Sequence, residues 1–178
     1  MYRLSRLKYV FPLGLFIALF LDGSFSKIFA PLMFFYPYSM SSQLVMLWLV
    51  LSFFFEENIH IPLVWFAVFA GAVADLYYSG ILGLFIFLYP LIIMVTRTLD
   101  RLMDRNFLNM ILIFFIDLVV FELLNYLAYR IVGVIQQGFG DFLVDNLAPT
   151  LALNLVYFVI FFWPINRLYH WALSRRRS

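Results

Sequence analysis

Seven apolar stretches follow one another along this chain with only short polar breaks between them. They cover approximately residues 9–21, 28–38, 43–55, 63–78, 81–96, 107–131 and 147–163. The breaks are "DGS" from 22, "EENIHIP" from 56, "SG" from 79, "RTLDRLMDR" from 97 and "QQGFGDFLVDN" from 136. A helix needs about 20 apolar residues to cross a bilayer, and most of these runs approach that length. Only 12% of the residues are charged and 65% are hydrophobic. A soluble domain carries about 25% charged residues to cover its surface, so this chain lacks the polar surface that water requires. The pattern predicts an all-α integral membrane protein, one membrane-embedded domain over residues 1–178 with no separate soluble part.

The first two stretches are short for a span. The first reaches across when tilt is allowed for. The second, 28–38, contains Pro31, Pro37 and several aromatics, and reads as an interfacial or re-entrant piece. The expectation is therefore a bundle of six transmembrane helices. With the N-terminus placed inside, ten of the twelve basic residues fall on the inner face: Arg3, Arg6, Lys8, Arg97, Arg101, Arg105, Arg167 and Arg175, Arg176, Arg177. Only Lys27 and Arg130 fall outside, which predicts an N-in/C-in topology. Asp141 and Asp145 then lie in an outer loop free of basic residues. The opening "YRLSRLK" with its apolar run has the outline of a signal peptide, but no small-x-small cleavage site follows, so it is expected to stay as the first helix.

Several kinds of chemistry are excluded by residue type. There is no cysteine, hence no disulfide, thiolate metal site or cysteine nucleophile. His60 and His170 are far apart and have no ligand partner at useful spacing, so no metal or other cofactor is expected. "GFGD", 138–141, matches a GxGD pattern of intramembrane aspartyl proteases, but its Asp141 sits in a polar loop without a second aspartate to share a proton. The serines of "DGSFS" lie at the opposite side from His170 and have no base. The chain reads as a non-enzyme, and its basic tail as a topology determinant with no nucleic-acid role.

The polar residues that remain lie within apolar sequence. Ala67, Gly71 and Asp75 are one turn apart and share a helix face, broadened by Ala70 and Ala74, where another helix can approach closely. Asp75 either makes a specific buried contact there, or caps the next helix or faces water. Gly80 and Gly83 permit a tight outer turn. The fifth span holds Asp117, Glu122 and Asn125. Glu122 and Asn125 share a face, while Asp117 points about 140° away at 100° per residue. Asn154 of the sixth span, one turn from Thr150, is placed to bond across to Glu122 or Asn125. Intramembrane acids normally face a bundle interior, so these four residues act either as interhelical glue or as a transport site.

"FAGAVADLYYSGILGLF", 69–85, resembles the signature of the MreD family of rod-shape-determining proteins: a glycine, an aspartate four residues on, then a turn with a glycine before the next helix. Gly71, Asp75 and Gly83 match it. The short chain, the six expected spans, the acids of the fifth span, and Asn154 and Pro164 in "NLVYFVIFFWPI" also match that layout. The resemblance implies a non-enzymatic component of the bacterial cell-elongation machinery in the cytoplasmic membrane. It also implies a partner of the MreC type, a single-span protein with an extracytoplasmic coiled coil, and regulation of peptidoglycan synthases. Ala67, Gly71, Ala74, Asp75, Gly80 and Gly83 are then the candidate partner-binding or packing positions. A six-helix chain of this size is similar, too, to the substrate-binding subunit of energy-coupling-factor vitamin transporters, whose fold the MreD-like proteins are thought to share. On that alternative, Tyr77, Tyr78, Glu122, Asn125 and Asn154 would line a vitamin pocket.

Overall fold

The computed structural model describes residues 7–56, 61–79 and 81–173. Gly80, His60 and the arginine-rich tail, together with the side chain of Tyr78, lie outside that described part. Six helices of twelve residues or more account for most of it, and no strand occurs among the described residues. They are α1 (Leu7–Ile28), α2 (Leu44–Phe55), α3 (Leu63–Ala74), α4 (Leu84–Asp100), α5 (Phe107–Ile131) and α6 (Ala148–Leu173). A π-helical turn, Asp75–Ser79, extends α3, and a second, Leu143–Leu147, leads into α6. Three helical segments are long and apolar enough to cross a membrane: Lys8–Ile28, Phe107–Ile131 and Phe139–Ala172. The chain is thus a helical membrane protein.

The centre of the bundle is α2, which touches each of the other five helices. Ten of its twelve residues are buried, as expected of a helix that is apolar all round. At 1.5 Å per residue it is only about 18 Å long, well short of the roughly 30 Å of bilayer hydrocarbon. The non-helical residues 39–43 continue it inside the bundle, where Ser42 and Gln43 are buried. Backbone without helical hydrogen bonds is tolerated at such depth only when other groups satisfy it. That requirement accounts for the buried Thr150 and Asn154, which bond to this backbone.

Two elements differ from the pattern read off the sequence. The break at "DGS" is no break, because α1 runs on through Asp22, Gly23 and Ser24 to Ile28. The Asp22 side chain is bonded across to α2 and so does not compete for its own backbone, while Ser26 Oγ donates to Asp22 O within the helix at 2.8 Å. The piece expected over 28–38 shrinks to a single turn, Ala30–Met33, followed by an exposed aromatic loop.

Small residues set the closest helix contacts. A Cβ on Gly71 would lie 2.3 Å from the backbone oxygen of Phe85, so α3 and α4 meet main chain to main chain at this point. A second close approach involves Gly14 of α1, whose missing Cβ leaves room for the Trp48 ring of α2. The Trp48 indole N–H donates to Phe11 O at 3.2 Å and fixes that ring.

Candidate functional site: carboxylates that cap the next helix

Asp75 sits at the end of α3 and reaches over to the start of α4. Its Oδ1 accepts from Phe85 N at 2.9 Å, and its Oδ2 from Gly83 N at 2.9 Å and Ile86 N at 3.1 Å. The first backbone N–H groups of a helix have no partner inside it. A carboxylate there satisfies them and meets the positive end of the helix dipole. Asp75 is an N-cap supplied from the neighbouring helix rather than from the preceding residue. Gly83, at φ +98°, makes the left-handed turn that aims those N–H groups at Asp75.

The residues around it complete one unit. Ala67, Ala70, Gly71 and Ala74 are all buried, and Gly71 stands one turn before Asp75. The close approach at Gly71 and the cap at Asp75 therefore act on the same stretch of α4, residues 83–86. Within the chain, the helix that this small-residue strip receives is α4. The end of the hairpin remains open: Leu76 and Leu82 are 71% and 75% exposed.

Asp22 repeats the device between α1 and α2. Its Oδ1 accepts from Ser42 Oγ at 2.7 Å and Leu44 N at 2.8 Å, and its Oδ2 from Val45 N at 2.9 Å. Both carboxylates lie at the same end of the bundle, each at the far end of one helix and each capping the helix that returns. Sequence reasoning treated Asp22 as part of a turn. The signal that identifies it is a single acid in an apolar run, the same signal that marks Asp75.

The remaining polar residues hold residues 39–43. Thr150 Oγ1 accepts from Ser41 N at 3.1 Å, and Asn154 Oδ1 from Gln43 N at 2.9 Å. Asn154 Nδ2 donates to Ser41 O at 2.7 Å and to Thr150 O at 2.8 Å. Asn154 thus binds neither Glu122 nor Asn125 directly. Gln43 makes the link, donating from Nε2 to Glu122 Oε1 at 3.0 Å. The backbone of 39–43 attracts Asn154 because an unpaired peptide group in lipid costs several kcal/mol, more than the roughly 0.5–1.5 kcal/mol gained from a typical hydrogen bond between side chains.

Asp117 lies elsewhere, as its angle on α5 predicts. It is fully buried against α4, where Thr96 Oγ1 meets its Oδ2 at 2.7 Å, while its Oδ1 has no partner among the described residues. Asn125 Oδ1 is likewise enclosed without a partner among them. No group of three or more potential metal ligands occurs among the described residues. Asp141 is exposed on the one-turn helix Phe139–Phe142, remote from any second buried aspartate in hydrogen-bonding contact.

The model of the family described as rod shape-determining protein MreD matches residues 7–171. That range takes in both capping aspartates, Gly71, Gly83 and the whole network around residues 39–43. Neither the curated proteins nor the solved structures give a match, and the likeness to a vitamin-transporter subunit has no support from them.

Proposed function

From the premise that the chain belongs to the MreD family and acts in rod-shape determination, we propose that it is a non-enzymatic membrane scaffold of the bacterial elongation machinery. Its partner is a single-span protein of the MreC type, and through it the peptidoglycan synthases. The chain lies in the bacterial cytoplasmic membrane as a multi-pass protein with both termini inside. Among the described residues, Lys8, Arg97, Arg101, Arg105 and Arg167 stand at or beyond one end of the bundle, against Lys27 and Arg130 at the other. The carboxylate-capped end is then the outer one.

The observation that carries this reading is the α3–α4 hairpin. Its small-residue face is filled by α4, and Asp75 holds the first residues of that helix, 83–86, beside the exposed apolar residues Leu76 and Leu82. A scaffold needs a turn of fixed shape presented to a partner, and the buried strip of Ala67, Gly71, Ala74 and Asp75 supplies the fixing while the turn supplies the contact.

The test is a gentle-detergent pull-down from the native membrane, with partners identified by mass spectrometry. A single-span coiled-coil protein with cell-wall synthases is the expected catch. Asp75→Asn keeps one acceptor oxygen and most of the yield, whereas Asp75→Leu loses the cap and lowers it. Equal yields for wild type and both variants would refute the role of this turn. Recovery of a transmembrane coupling subunit with ATPases would replace the scaffold by a transporter.

A further inference from the structure

Beside the Asp22 cap lies a cavity of about 200 Å³, whose walls include Asp22, Ser41, Gln43, Ala74, Phe85 and Tyr89. At about 30 Å³ per water it has room for roughly six waters, or for one small organic group. The scaffold role makes no use of it.

Counting hydrogen bonds defines what the cavity lacks. Each carboxylate oxygen accepts about two hydrogen bonds. Asp22 Oδ1 already holds two, from Ser42 Oγ and Leu44 N, but Oδ2 holds only one, from Val45 N. Gln43 donates both amide protons, to Ser41 Oγ at 2.9 Å and to Glu122 Oε1 at 3.0 Å. With Glu122 ionised, the amide group that faces its carboxylate is the donor, and the amide orientation follows. The side-chain oxygen of Gln43 is then left without a donor among the described residues, although the residue is only 6% exposed. Three acceptor positions are open on the carboxylate and the amide, one on Asp22 and two on Gln43, and the hydroxyl oxygens of Ser26, Ser41 and Ser42 in the cavity wall offer further lone pairs.

Charge points the same way. Among the described residues no lysine or arginine lines the cavity, and the one ion pair among them, Arg105–Asp100, is at the other end of the bundle. Phe85 and Tyr89 stack with Phe121 at 5.6–5.7 Å between centroids and give the cavity a rigid aromatic wall. The geometry points to a binding site for a primary ammonium group, supplied either by a small free amine or by an amine-bearing lipid headgroup. An ammonium carries three N–H donors, which the open acceptors of Asp22 and Gln43 can take up, and its charge complements Asp22 and the neighbouring Glu122.

The experiment uses the full chain in phosphatidylcholine nanodiscs, with thermal unfolding followed by tryptophan fluorescence during titration with ethylammonium chloride. Tetramethylammonium chloride and sodium chloride serve as matched salts. A saturable rise in Tm with ethylammonium alone is expected. Affinity falls about tenfold or more in Asp22→Asn, as for loss of a charged hydrogen-bond partner. Ala74→Val narrows the cavity and leaves every acceptor in place, and its own Tm reports that it folds; it too loses affinity. If discs containing phosphatidylethanolamine already show the Asp22-dependent rise and free amine adds nothing, the headgroup is the source. A rise with free amine in both lipids makes the source a free amine. Equal shifts with tetramethylammonium or sodium, no shift with either amine source, or unchanged affinity in Ala74→Val overturns the site.

Discussion

Gly71→Ala perturbs the hairpin at its tightest point, and the structure sets the size of the effect. The added Cβ would stand 2.3 Å from Phe85 O and 2.6 Å from Ile86 N, both main-chain atoms that no rotamer change can move. To reach even 3.0 Å, α4 must retreat by about 0.7 Å as a body, because packed helices transmit rather than absorb such strain. That retreat acts on Phe85 N and Ile86 N, which Asp75 holds at 2.9 and 3.1 Å, and it takes both towards or past the limit of a useful hydrogen bond. Overpacking costs about 1–3 kcal/mol, and weakening a cap about 0.5–2 kcal/mol. We expect a loss of roughly 2–4 kcal/mol in stability, since the helices relax along whichever path is cheaper. The assay is equilibrium unfolding in mixed micelles for Gly71→Ala, Asp75→Asn and the double variant. Gly140→Ala, where an added Cβ meets nothing within 4 Å, is the control and should change stability by less than about 0.5 kcal/mol. The double variant should cost clearly less than the two singles together, because both damage the same cap. A Gly71→Ala loss below about 0.5 kcal/mol, or strict additivity in the cycle, would refute the coupling of close approach and cap.

Three further outcomes follow from the packing. Thr96→Val strips Asp117 of its only hydrogen-bond partner among the described residues and should cost about 1–3 kcal/mol, whereas Thr96→Val combined with Asp117→Leu should be nearly neutral in the same unfolding assay. Gly14→Ala would place a Cβ 2.0 Å from the Trp48 ring; the ring must leave its bond to Phe11 O, which a tryptophan emission shift detects alongside a loss of about 1–3 kcal/mol. Gly83→Ala meets nothing within 4 Å among the described residues and bears backbone strain at φ +98°, so its loss should be about 1–2 kcal/mol in thermal unfolding.

The helices themselves were readable from hydropathy, because a helix in lipid announces itself by length and composition. The run at 107–131 coincides with α5, and those at 43–55 and 63–78 fall within a residue or so of α2 and of α3 with its π-turn. The capping role of Asp75 stood among the alternatives, since an acid one turn beyond a glycine and just before a glycine turn suits both packing and capping. At Asp22 the signal of a single acid in an apolar run is overridden by "DGS", which has the composition of a turn, and the N–H groups that Asp22 holds lie 22 and 23 residues away. The bridging place of Gln43 was hidden for a similar reason. A polar residue at the start of an apolar run looks like a boundary, and only the shortness of α2 shows that the boundary is buried. Asn154 and Glu122 are both buried, and what they share is Gln43, whose backbone N–H meets Asn154 and whose side chain meets Glu122, a link that periodicity does not reveal.

The central claim is that the outer end of the α3–α4 hairpin, held by Asp75, is the surface a partner meets. A photo-crosslinking amino acid placed at Leu82, with a second placed at the exposed mid-helix position Met94 as reference, tests it directly in the native membrane. The account predicts a covalent adduct with a single-span coiled-coil protein from position 82, kept in Asp75→Asn and lost in Asp75→Leu, and no such adduct from position 94. An adduct from position 94 with none from position 82, or one at 82 indifferent to Asp75→Leu, contradicts it.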